Sequence, residues 1–165
     1  MRVLLRLAAL LALALAAAVA IGQVVARRRT WGDDDADDVS MATCFGGIDR
    51  SLTGDHLRHV SATAWFGGVD LDLREATLAP EGANVEIKAV MGGIKLTVSP
   101  EWHVEVEQDV SAGGIEERLT PPEELPPGAP LVHIVARARM GGILVTTHDA
   151  STEHEAAAEP ASVSA

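Results

Sequence analysis

The chain has one cysteine and no tyrosine, and its aromatic residues are two Phe and three Trp in 165 residues. A single cysteine excludes an intrachain disulfide framework and a Cys-rich zinc site. Basic residues are also scarce: 13 Lys and Arg stand against 24 Asp and Glu, for a formal net charge of −11. A nucleic-acid binder wants clustered basic residues and stacking rings, so no nucleic-acid partner is expected. Both glycine-rich phosphate cradles, G-x-G-x-x-G and G-x-x-x-x-G-K-[ST], are missing. No His or Asp stands in a recognisable catalytic pattern with Cys44, which reads as a small core residue rather than a nucleophile.

What is present begins with an apolar run. Leu7 to Ala26 is twenty residues without a charge, and Gln23 is its only strongly polar member. About 20 such residues span a bilayer core as a helix. Arg2 and Arg6 flank the run on one side and Arg27, Arg28 and Arg29 on the other. A cleaved signal peptide is the competing reading, with Ala18-Val19-Ala20 as its cleavage site. The run continues past that site and then meets three arginines, which favours an uncleaved anchor contacting lipid through residues 7–26. The arginines are nearly balanced across the two ends, so the positive-inside rule assigns neither side to the rest of the chain.

The chain divides into four parts. Residues 1–29 form the membrane anchor with its arginine flanks. Residues 30–40 hold the acidic block Asp33 to Asp38 and read as a solvated, self-repelling spacer. Residues 41–148 form the folded domain. Residues 149–165, rich in Ala, Glu and Ser, are expected to be a disordered tail.

The domain repeats itself. Gly46-Gly47, Gly67-Gly68, Gly92-Gly93, Gly113-Gly114 and Gly141-Gly142 each lie between an apolar or small residue and a β-branched one. Repeats of this length suggest stacked units that share one core. Their flanks alternate with period two: Val60, Ala62 and Ala64 precede one pair, and Val69, Leu71 and Leu73 follow it. Such alternation marks half-buried strands. The apolar set changes parity at every pair, so a straight strand would swap its buried face there. Two devices restore the face. Gly-Gly can be a two-residue hairpin loop, giving an antiparallel sandwich or meander. It can instead be a corner where the chain bends around a core, giving a solenoid of short strands. The prolines of Thr120 to Pro130 mark a loop inserted between repeats.

Trp65-Phe66-Gly67-Gly68-Val69-Asp70-Leu71-Asp72-Leu73, with Met91-Gly92-Gly93-Ile94-Lys95-Leu96 and the later Pro100-Glu101-Trp102, carries a resemblance. This part of the chain resembles the C-terminal domain of LiaF-like proteins, the bacterial cell wall-active antibiotic response family. The resemblance covers about residues 43–147. It implies an all-β, short-strand, β-solenoid-like "toastrack" fold with Gly-Gly corners, here expected behind the one transmembrane helix of residues 7–26. It also implies a non-enzymatic, membrane-attached regulator in the bacterial cytoplasmic membrane, acting in envelope stress through contacts with a sensor histidine kinase or another membrane protein; the one apolar run of this chain would make it single-pass. An envelope structural or scaffold module is the alternative. The motif contains no catalytic residues. LiaF itself has several membrane helices where this chain has one, and Met91, Ala112 and Met140 replace the motif's aromatic.

Other polar groupings have simple readings. Asp70 and Asp72 alternate on a strand opposite Val69 and Leu71, as a solvated face should. His56 and His59 lack further ligands nearby for a zinc site. His103, Glu105 and Glu107 share one polar strand face. No catalytic residue, cofactor or metal is therefore expected, and the ten motif glycines are the candidate structural positions, set by backbone geometry.

Overall fold

The computed structural model describes residues 2–147; the expected tail and His148 lie outside them. The apolar run forms one uninterrupted helix, α1 (Arg2–Arg29), with Arg27, Arg28 and Arg29 in its last turn. Residues 8–29 are long and apolar enough to cross a membrane.

Eight strands follow: β1 (Asp38–Ser51), β2 (His59–Asp72), β3 (Ala83–Ala89), β4 (Gly93–Thr97), β5 (His103–Val110), β6 (Gly113–Arg118), β7 (Leu131–Ala138) and β8 (Gly141–Thr146). Every strand pairs in parallel with its neighbours. That excludes the antiparallel sandwich or meander and leaves the solenoid. Each repeat is one coil with a Gly-Gly bend at its middle. The bend falls inside a continuous strand in β1 and β2, and it separates β3 from β4, β5 from β6 and β7 from β8.

The bend restores the buried face. Val60, Ala62 and Ala64 are buried before it, and Val69, Leu71 and Leu73 after it, while Trp65 and Phe66 between them are exposed. Stacking in register then lines up like residues from coil to coil. One inward row is Val39, Val60, Val85, Ile134 and Val106; another is Ile48, Val69, Ile94, Ile143 and Ile115. The core is aliphatic, and buried Trp102 is its only aromatic. A third side closes each early coil, where Leu57 pairs with Leu78 and the Leu57 amide donates to the Thr77 carbonyl at 2.9 Å.

The order of coils in the stack departs from the order in the chain. β7 and β8 pair with β3 and β4, and β5 and β6 pair only with β7 and β8. The fifth coil therefore lies between the third and the fourth. The proline segment, with a short 3-10 turn at Pro122–Glu124, carries the chain from the fourth coil back one place in the stack rather than simply separating two successive coils.

The physical reason lies in the inward rows. The fifth coil presents Ile134, Ala136, Ala138, Ile143 and Val145 inward, all fully or almost fully buried. The fourth coil puts Gln108 in the row of Met41, Ala62, Ile87 and Ala136, and Glu117 in the row of Leu71, Leu96 and Val145. Between two coils those groups would be buried polar atoms at a cost of several kcal/mol, roughly. At the end of the stack they stay exposed, and the Gln108 amide donates to the Glu117 carboxylate. The fourth coil is thus a polar end cap, as stacked repeats require.

The opposite end is closed differently. β1 begins at Asp38, earlier than the expected domain start at Met41, and the acidic segment before it is folded rather than a free spacer. Trp31 and Ser40 exchange backbone hydrogen bonds at 2.8 and 2.9 Å. Arg50 occupies an inward row and needs a carboxylate; Asp34 supplies it. The Asp37 carbonyl accepts the amides of Arg58 and His59.

Candidate functional site

Coil stacking gathers the ten motif glycines into two parallel rows. Gly46, Gly67, Gly92, Gly141 and Gly113 form the first, in stack order; Gly47, Gly68, Gly93, Gly142 and Gly114 form the second. At strand spacings near 4.8 Å, five coils make rows about 19 Å long.

The rows differ in what they require. A Cβ on Gly92 would fall well inside contact of the Gly67 carbonyl oxygen and 3.0 Å from its nitrogen. Gly67, Gly141 and Gly113 meet the backbone of their neighbouring coils in the same way. At the two ends of the stack, Gly46 and Gly113 also have φ of +120°, a region that favours glycine. Gly67, Gly92, Gly141 and Gly113 are therefore glycine because parallel coils approach there backbone to backbone, and Gly46, with nothing within 4 Å of its would-be Cβ, because of its φ.

The second row has no such reason. A Cβ on Gly93 would lie 3.9 Å from the Gly142 carbonyl oxygen and one on Gly68 4.0 Å from that of Gly93, which is ordinary contact. Gly114 and Gly142 would meet nothing within 4 Å, and none of the five has a positive φ. These glycines leave a shallow groove of about 830 Å³ along the stack, floored by their backbone and flanked by Ile48, Val69, Asp70 and Lys95. Backbone geometry accounts for the first glycine of each pair and not for the second.

Beside the first row, four apolar side chains stand in a line. Phe45, Phe66, Met91 and Met140 occupy the position before four of the five pairs and are all exposed. The Phe45 and Phe66 rings stack at 5.1 Å, 9° from parallel. Exposed Trp65 stands next to them.

Helix α1 meets the stack at this corner. Ala18, Ile21, Gly22, Val25 and Ala26 recur at helical spacing and face Cys44, Phe45, Trp65 and Phe66 across an apolar cleft of about 500 Å³. Gly22 permits the closest approach: a Cβ there would lie 2.6 Å from the Cys44 sulfur. Cys44 is accordingly not a core residue; it is half-buried at the helix seam. The Gln23 side-chain amide donates to the Phe45 carbonyl at 2.8 Å, and the Thr30 hydroxyl accepts the Ala42 amide at 3.2 Å. Both satisfy open backbone groups of the edge strand β1, which has β2 on one side only.

The remaining candidates are dispersed. Asp70 faces Lys95 of the next coil at 3.6 Å. Asp72 accepts hydrogen bonds from the Arg74 side chain at 3.0 Å, which hold its carboxyl below the usual range against the opposing effect of partial burial. His56 is exposed and His59 opens β2. No group of three or more metal-ligating side chains occurs among the described residues. The helix seam and the end cap escaped sequence reasoning, although each has a signal: Gln23 interrupts an apolar run, and Gln108 and Glu117 stand in rows whose interior members are apolar.

Fold and site together define a class: a parallel β-solenoid whose first edge is covered by an apolar helix of membrane-spanning length. No family model, curated protein or solved structure matches the chain.

Proposed function

We propose that this chain is a membrane-anchored, non-enzymatic regulator in the bacterial cell-envelope stress response that acts through protein contacts. The LiaF resemblance supplies the pathway and a sensor histidine kinase as partner. It also supplies the toastrack fold name and the cytoplasmic membrane as location. The observation that carries the reading is the second glycine row. Five coils repeat a residue that their own backbone does not need, and together these residues keep a flat face open along the stack. Glycine inside a strand costs stability, by about 0.5–1 kcal/mol relative to alanine. A surface on which another protein's strand or loop lies close to backbone gives that repetition a use.

The ends of the stack favour a regulator over a polymerising envelope scaffold. End-to-end assembly needs open edges, and here one edge lies under α1 while the other carries the Gln108–Glu117 pair. The test is affinity capture of the tagged full-length chain from cross-linked native membranes, alongside Gly68→Arg. A sensor kinase recovered with the parent chain and lost with the variant is the expected result. Recovery of envelope structural proteins alone, unchanged by the variant, would reject the regulator.

A further inference from the structure

Helix α1 cannot cross a bilayer with only the part that stands clear of the domain. It meets the stack from Ala18 onward. The uncharged residues before that point, 7–17, make about 16 Å of helix at 1.5 Å per residue. A hydrocarbon core is about 30 Å thick. Leu7 to Ala26 together reach about 30 Å, so a spanning α1 must keep lipid around residues 18–26 as well. Those are the residues that carry the corner of the domain. Gly22, against Cys44 and Phe45, lies four residues, or about 6 Å, inside the end of the apolar run.

The corner is chemically suited to that depth. Phe45, Phe66, Met91, Met140 and Ala112 form an uncharged line across a protein of net charge −11, with Trp65 beside it. Tryptophan favours the lipid–water boundary, and phenylalanine belongs to the apolar face that interfacial segments bury. Gln23 and the Phe45 carbonyl would each lack a partner in lipid, and they satisfy each other. Arg139 stands next to Met140, half exposed and 3.7 Å from Asp109, and Arg27 to Arg29 end the helix; all can reach toward phosphate.

We propose that this ridge is a second membrane contact. The Gly-Gly corners rest in the interface of the bilayer that α1 crosses, with Phe45, Trp65 and Phe66 embedded as anchors. The domain is thereby held at a fixed tilt, and its glycine groove lies close to the membrane surface. This inference rests on α1 spanning the membrane, and the bilayer is the one occupant that the continuity of ridge and helix selects.

The test uses the full chain in phosphatidylcholine vesicles, with and without bromine near the headgroup end of the acyl chains. Trp31→Phe with Trp102→Phe leaves Trp65 as the sole fluorophore. Because Trp102 is buried, a second comparison, the parent chain against Trp65→Phe, leaves the core intact. Blue-shifted Trp65 emission, quenched at least about twofold by brominated lipid, is expected for a ring 5–10 Å inside the boundary. Trp65→Phe should remove that quenched component. A chain that resists carbonate extraction while Trp65 stays unquenched overturns the ridge contact and leaves the anchor standing. Blue-shifted but unquenched emission puts a protein, such as a second copy, on the ridge and overturns it too. Extraction by carbonate overturns the anchor itself, and the ridge contact with it.

Discussion

The two glycines of one pair should respond in opposite directions to the same small change. Gly92→Ala puts a methyl inside contact of the Gly67 carbonyl oxygen, 3.0 Å from its nitrogen and 3.1 Å from its carbon. These are backbone atoms of a neighbouring strand, so neither side can yield by rotating a side chain. The coils must separate locally. The hydrogen bonds at risk are Met91 N–H to the Trp65 carbonyl at 2.8 Å and Gly142 N–H to the Gly92 carbonyl at 3.0 Å. Losing or stretching two ladder bonds, with one carbonyl left poorly satisfied, costs about 2–4 kcal/mol. Gly93→Ala puts its methyl 3.9 Å from the nearest neighbouring atom and on the open side. It removes backbone freedom from the unfolded chain and should stabilise by about 0.5–1 kcal/mol. Thermal melting of the detergent-solubilised full chain reads both. For a domain near 100 residues, Gly92→Ala should lower Tm by roughly 10–20 °C and Gly93→Ala should raise it by a few degrees, as about 4–8 °C per kcal/mol implies. Equal losses from both variants would refute the division of the glycines into a packing row and a free row.

Gly22→Val should lift α1 from the stack, because even its Cβ would lie 2.6 Å from the Cys44 sulfur; maleimide labelling of Cys44, the only thiol, should become several-fold faster, and an unchanged rate would mean the seam is not closed. Gln108→Val with Glu117→Val should give the fourth coil the apolar inward face of an interior coil, so sedimentation in detergent should show concentration-dependent end-to-end association absent from the parent chain. Asp72 is held below its usual carboxyl range first by its hydrogen bonds from Arg74. Its contribution to stability is present above the unfolded value near 3.9 and is lost as pH falls below that through the lower folded value. Arg74→Ala should move the Asp72 carboxylate titration upward by carbon NMR; no upward movement would show that the pair does not form in solution.

Much of the chain's plan is local, and local patterns are legible in sequence. Twenty uncharged residues make a helix of known length whatever follows them. Alternation around Val60 to Leu73 identifies the inward faces, and the change of parity at Gly67-Gly68 requires a bend, because side chains alternate strictly along a strand. What stayed hidden is non-local. A Gly-Gly pair reads equally well as a hairpin or a corner until the partner strand is known, and parallel pairing comes from Phe45 lying beside Phe66, not from either motif alone. The acidic segment read as a spacer because its own charges repel; Arg50, sixteen residues from Asp34, holds it in place.

The sequence by itself determined the long apolar helix, the number of coils, their inward faces and the bends between them, since each depends on residues within a few positions of one another. Tertiary structure decided the order of the coils, the distinct roles of the two glycine rows and the docking of α1 on β1. Those depend on which backbone comes within about 5 Å of which. That choice follows from where the whole stack can tolerate Gln108 and Glu117: at an end, in water, and not between two aliphatic coils.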